Sequence, residues 1–232
     1  MPAETPAPPA REAASWAAYI DRLTVERRPG VHGSNVHGHR LAGPVQGFGQ
    51  MWRKTYCCDI GGVASPERVI EVWRGHFGEF WPKGSAFAAG LDGIRPGEVA
   101  LIDIGVARGA PKVSTGVLVL YADDTSFTFM TPQGHQFAGW ITFSAGQAAT
   151  GRTQIQVEVL IRASDPLYEA AMMAGAGRRE DRFWEQTVSA LARHLGAEHP
   201  VVTGTAVCVD PRRQWRRWTS LWHNAAIRSV LQ

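Results

Sequence analysis

Between residues 98 and 163 the chain runs through five apolar stretches with strand character, and from Ser164 to Gly196 the pattern becomes helical. That switch from a period of two to a period of 3.6 restricts the fold more than any other feature. A meander of half-buried strands needs a cover for its dry face, and the long helix beside it in sequence can supply one. The runs are "EVALIDIGV" (98–106), "VSTGVLVLYAD" (113–123), "SFTFMT" (126–131), "AGWITFSA" (138–145) and "RTQIQVEVLIRA" (152–163). Turns containing Gly, Pro or Asp part them. In the last run Ile155, Val157, Val159 and Ile161 alternate with Gln154, Gln156, Glu158 and Arg162. One face is then dry and the other wet, as in an antiparallel sheet covered on one side.

In the helical stretch Asp165 supplies an N-cap, Pro166 takes the first helical position and Gly196 is placed to stop it. Trp184, Val188, Leu191 and Leu195 form its apolar stripe. The Gly-Ala-Gly at 175–177 interrupts it, at about 1 kcal/mol per glycine relative to alanine. It marks a kink, or a point where another backbone or a ligand comes close. Upstream, Trp52, Tyr56, Cys58 and Ile60 alternate with Arg53, Thr55, Cys57 and Asp59, which predicts one more strand, ended by Gly61 and Gly62. "SPERVIEVWRGHFGEFWP" then predicts a helix capped by Ser65, opened by Pro66 and stopped by Pro82, with Val69, Val72, Trp73, His76, Phe77 and Phe80 on one face. A further helix is predicted over Glu12–Leu23, where Trp16, Tyr19, Ile20 and Leu23 share a face.

With 232 residues and 44% hydrophobic content, the chain can bury one full core, so one domain with extensions is expected. Residues 1–10, rich in Pro and Ala, read as a disordered lead-in, and 11–44 as a helix with a Gly/Pro-rich loop. No run approaches the ~20 apolar residues of a membrane span. The N-terminus has no basic start followed by an apolar stretch, so no secretory signal is read there. Three cysteines, an odd count, argue for reduced thiols in a cytoplasmic protein. The net charge of +3 is uneven: residues 211–232 hold five arginines and no acid, leaving 19 of the 24 basic residues against all 21 acidic ones. The main domain therefore lacks the basic, aromatic-interleaved stripe a nucleic-acid partner would need, and none is expected.

The order of strand, Ser-Pro-Glu helix, antiparallel strands and one long helix resembles the START-like helix-grip superfamily, which includes the birch-pollen-allergen type and the polyketide cyclases. The resemblance covers about residues 45–198. "GHQFAGWITFS", Gly134 to Ser144, is also similar to the Gly-His-x-x-x-Gly segment of bacterial members. The resemblance implies an α+β fold, a curved antiparallel sheet gripping a long C-terminal helix with an apolar cavity between them, to which the helical stretches read at both ends of the chain are extensions. Gly105, Gly116 and Gly139, inside strand-like runs, suit a curved sheet. Candidates to line the cavity are Trp52, Tyr56, Phe77, Tyr121, Phe127 and Phe129, with Trp140, Phe143, Met172 and Met173. The alternative is that they simply fill the space.

An enzyme of this fold needs a polar group in that cavity. Candidate catalytic residues are Lys54, Tyr56, Asp103 and His135, with Tyr121 and His76 as further donors. Lys54 shares a strand face with Trp52 and Tyr56, or else snorkels to the rim. His135, in a strand connection, either braces the turn or guards the cavity mouth. His32, His37 and His39 invite a metal reading, but no acid or cysteine pattern accompanies them, and neither a metal nor another cofactor is expected. Ser-His-Asp order, phosphate-binding loop and dinucleotide fingerprint are absent from the sequence.

The last stretch, residues 199–232, reads as a basic amphipathic extension. "DPRRQWRRWTSLWHNAAIRSVL" predicts a helix with Trp215, Trp218, Leu221, Trp222 and Ala225 on one side and arginines opposite. Such a helix docks on an anionic membrane surface or a partner's groove, or folds back on its own domain. The expected function is binding or carrying an apolar small molecule, a lipid, polyketide or similar. The alternatives are a cyclase- or dehydratase-like enzyme acting in the same cavity, and an interaction protein with a closed core.

Overall fold

The computed structural model describes residues 13–25, 35–90, 92–104 and 113–230. Eight strands form one antiparallel sheet: β1 (Met51–Gly61), β2 (Ala86–Ala88), β3 (Val99–Ile104), β4 (Val113–Ala122), β5 (Ser126–Met130), β6 (Phe137–Gln147), β7 (Thr153–Ala163) and β8 (Val202–Asp210). Their order across the sheet is β2-β3-β4-β5-β6-β7-β1-β8. Two strand glycines permit close approaches that a side chain would block. A Cβ on Gly139 would lie 2.1 Å from the Leu160 carbonyl oxygen, and one on Gly116 would lie 2.5 Å from that of Ala100.

Helix α1 (Pro66–Gly75) begins as its sequence predicts, the Ser65 hydroxyl accepting from the Arg68 N–H at 3.3 Å. A 3-10 turn, Phe77–Phe80, follows it. The long C-terminal helix is α2 (Pro166–Ala171), a π-helical turn (Met172–Ala176) and α3 (Gly177–His194). Asp165 caps it, accepting from Leu167 and Tyr168 N–H. Gly196, at φ 101°, follows its end. The kink expected at Gly-Ala-Gly is that π turn, with Gly175 at φ 112°.

Trp73 of α1 is fully buried against the edges of Phe127 and Phe143, and the Phe77 ring packs on both of these phenylalanines. Each such buried aromatic contributes on the order of 1.5–3 kcal/mol. Val188 and Leu191 clamp α3 onto the same core. The result is the helix-grip arrangement, a bent sheet closed around a helix.

Three expectations need correction. The helix over Glu12–Leu23 is absent among residues 13–25, which carry only a 3-10 turn at Ala13–Ser15; Glu12 lies outside the described residues. Beyond that turn the segment runs extended beside β4, because the Ala17 N–H donates to the Leu120 carbonyl and Trp16 packs edge-on against Tyr121. Only Leu23 is buried by this, with Val36 and Leu118 on the sheet's other face. Second, residues 202–210, the start of the stretch read as a basic amphipathic extension, form an edge strand paired with β1, with Gly204 opposite Tyr56. Third, Trp215–His223 is a 3-10 helix, followed by the short α4 (Ala225–Val230). Gly105 and Val106 of the first meander strand lie outside the described residues, as does His32. No helix among the described residues is long and apolar enough to cross a membrane.

Candidate functional site

A cavity of about 420 Å³ lies between the sheet and the C-terminal helix. Val117, Phe129, Ile141, Val159 and Ile161 form its sheet wall. Met172, Ala176, Glu180, Phe183 and Trp184 form the wall supplied by the helix. Among the candidates for the lining, Phe77, Phe129, Trp140 and Met172 border it and the other six do not. Phe127 and Phe143, stacked at 4.8 Å, lie at the end that α1 plugs with Trp73. Tyr121 packs on Trp16 and donates to Asp123. Trp52, half-buried at the start of β1, is paired across to Ile161 and Cys208 and is not part of the lining. Met173 is turned outward beside Arg213.

Tyr56 is buried next to the cavity wall in a polar cluster rather than in the lining. Its hydroxyl donates to Asp181 Oδ1 at 2.7 Å, and Lys54 Nζ donates to the same oxygen at 2.7 Å and to Glu180 Oε2 at 2.5 Å. The lysine therefore does not snorkel; its side chain is only 6% exposed. Burial alone would lower the Lys54 pKa, but Glu180 and Asp181 outweigh it and hold the group above its ordinary value. Burial raises Glu180, with Lys54 opposing and Asp181 reinforcing the shift. Tyr56 is pushed up by burial and then by the Glu180 charge. Glu180 Oε1 is buried without a hydrogen-bond partner, and this residue faces the cavity.

Neither acid stands out when the chain is read as a string. A signal was present: Glu180 is spaced to fall on the stripe of Trp184, Val188, Leu191 and Leu195, and an acid on a buried stripe requires a partner. Asp103 is on the opposite face of β3 from the cavity-lining Ile102 and Ile104, and accepts from the Ser114 hydroxyl at 2.5 Å. His76 caps α1 and pairs with Glu79 at the surface.

The Gly-His-x-x-x-Gly segment has a packing explanation at each fixed position. Gly134, at φ +89°, lets the tail approach so closely that a Cβ there would lie 2.0 Å from the His223 carbonyl oxygen. Its own carbonyl accepts from the Ala225 N–H at 2.9 Å. Gly139 admits the β7 backbone. His135 is buried and borders the cavity, its Nδ1 held 3.0 Å from the Phe137 N–H and 3.1 Å from the Phe137 carbonyl. It both braces the turn and meets the cavity.

Burial lowers the His135 pKa to about 4, against an opposing hydrogen bond from Phe137. The unfolded chain thus takes up this proton near pH 6.5 while the folded chain holds it off to about pH 4. Stability is expected to fall as pH drops from 6.5 towards 4, by up to about 3 kcal/mol from this group. Denaturant unfolding between pH 7 and pH 4 should show that slope in the wild type and a flatter one in His135→Gln.

The histidines that invited a metal are structural where described. His37 Nδ1 accepts from the Val25 N–H at 3.2 Å. His39 Nε2 accepts from Arg228 at 2.7 Å, which leaves Nδ1 to donate to the Gln133 carbonyl at 3.0 Å. Burial and then the Arg228 charge lower its pKa, keeping it neutral in that bridge.

No protein-family model matches the chain, and no curated protein matches it. Among solved structures it is similar to a START superfamily protein from Mycobacterium smegmatis at 22% identity, covering 63% of this chain and 97% of that one with a TM-score of 0.43. It is similar to a protein from Thermus thermophilus at 15% identity, covering 62% and 96% with a TM-score of 0.45. Ara h 8.0201 is similar at 15% identity, covering 62% and 97% with a TM-score of 0.42. The fold assignment rests on the strand order and the gripped helix rather than on these likenesses.

Proposed function

We propose that the chain binds and carries an apolar small molecule, a lipid, polyketide or compound of similar character, in the cavity between sheet and helix. The observation that carries this reading is an unfilled space of about 420 Å³ walled chiefly by aliphatic and aromatic side chains. The arrangement of polar groups supports carriage over catalysis. Lys54 and Tyr56 are committed to Glu180 and Asp181, and Asp103 turns away, so these candidates do not present an acid–base pair to the cavity.

One observation favours the second reading, a cyclase- or dehydratase-like enzyme. Glu180 is a buried carboxyl bordering an apolar space with one unpartnered oxygen, a group suited to giving or taking a proton.

Native mass spectrometry of the freshly purified protein, followed by extraction and identification of what is bound, tests both readings. Carriage predicts one co-purifying apolar compound class at one molecule per chain. A pair of compounds related by ring closure or loss of water would support the enzyme instead. A bare chain mass that stays bare after incubation with extracted lipids would sink both.

A further inference from the structure

The most exposed large aromatic residues of the C-terminal extension lie together, in a segment tied along the wall of the cavity. Trp215, Trp218 and Trp222 are 70%, 54% and 76% exposed. In a 3-10 helix of three residues per turn, Trp215 and Trp218 stack on one face, and Trp222 shares the next face with Arg216. Arg216 and Arg217 are exposed, and no acid occurs from 211 to 232.

Two of the tail's arginines hold the segment in place and are not part of its charged face. Arg212 is bound to Asp210, and Arg213 to Glu169 at 2.9 Å and to the Met173 sulfur at 3.3 Å. At the far end Asn224 Nδ2 donates to Asp165 Oδ2 at 2.8 Å, and the Ala226 N–H donates to the Tyr168 hydroxyl at 3.1 Å. The tryptophan segment is therefore laced at both ends to α2. Leu167 and Tyr168 of α2 line the cavity together with Ala226. Leu167 is itself 49% exposed, so the cavity approaches the surface beside this strip.

Tryptophans seated among exposed arginines match the interface of a bilayer with anionic headgroups: the indoles enter the headgroup layer and the guanidinium groups meet phosphate and carboxylate. We propose that Trp215–Trp222 docks on an anionic membrane surface and sets the α2 end of the cavity against the bilayer. The docking surface stands independently of any ligand; its use as a route for ligand exchange rests on the cavity reading above.

The test is flotation of the full chain with vesicles of phosphatidylcholine alone and of equal parts phosphatidylcholine and phosphatidylserine. Co-flotation with the mixed vesicles, weak binding to the neutral ones and release by high salt are expected. Arg216→Gln/Arg217→Gln should weaken binding roughly thirtyfold, and Trp215→Ser/Trp222→Ser should abolish it. These side chains are exposed and do not border the cavity, so uptake of an apolar probe in solution should persist in both variants. Equal binding to neutral vesicles, binding indifferent to both double variants, or no binding at all overturns the proposal, even if the segment captures a protein. Probe uptake in the same samples tells separately whether the cavity reading survives.

Discussion

Lys54→Met should cost about 3–5 kcal/mol of folding stability, the loss found when one partner is removed from a buried ion pair. The single charge of the lysine is shared by two carboxylates, and Glu180 borders an apolar cavity with one oxygen already lacking a partner. Without the ammonium, Glu180 must take a proton or remain a buried, uncompensated charge. Pairing Lys54→Met with Glu180→Leu should recover much of the loss, since replacing a buried pair as a set is far cheaper than breaking it. Denaturant midpoints of the two variants against wild type decide this. A single-variant loss under about 1 kcal/mol would mean that the cluster is hydrated and not sealed behind the helix.

The main-domain architecture was readable because its signals are local and repeated. Ser65 and Asp165 each make the cap their sequences announce, and the Gly-Ala-Gly interruption became a helix defect in the expected place. Residues 202–210 were missed because Thr203, Gly204, Thr205 and Ala206 give little apolar alternation. Their strand is imposed by the open edge of β1, a partner distant in sequence. The N-terminal segment failed for the opposite reason. Its helical spacing is real, but pairing with β4 and packing of Trp16 on Tyr121 override it.

The site was less legible than the fold. Alternation told which face of a strand a residue takes, and not how far along the sheet it lies. Phe127 and Phe129 share β5 and both turn inward, yet Phe127 packs under Trp73 and only Phe129 reaches the cavity. Lys54 was recognisable as an odd residue on an apolar face, while its partners Glu180 and Asp181 come from a helix 126 and 127 positions away. The tail's tryptophans were legible as a cluster, but a spacing of 3.6 gave them one face where the 3-10 geometry gives two.

Carriage depends on the space between sheet and helix taking up an apolar molecule. Titration with the neutral fluorescent probe N-phenyl-naphthylamine, on wild type and on Val117→Phe and Ile141→Trp, tests this most directly. Both substitutions enlarge side chains of the sheet wall, and overpacking costs about 1–3 kcal/mol. Circular dichroism and the unfolding midpoint check that each variant is folded. Saturable uptake of one probe per wild-type chain is predicted, with affinity lowered more than about tenfold, or over 1.4 kcal/mol, in whichever folded variant fills the space. Equal uptake by wild type and folded, filled variants would place the probe elsewhere, and the absence of saturable uptake by the wild type would contradict the claim outright.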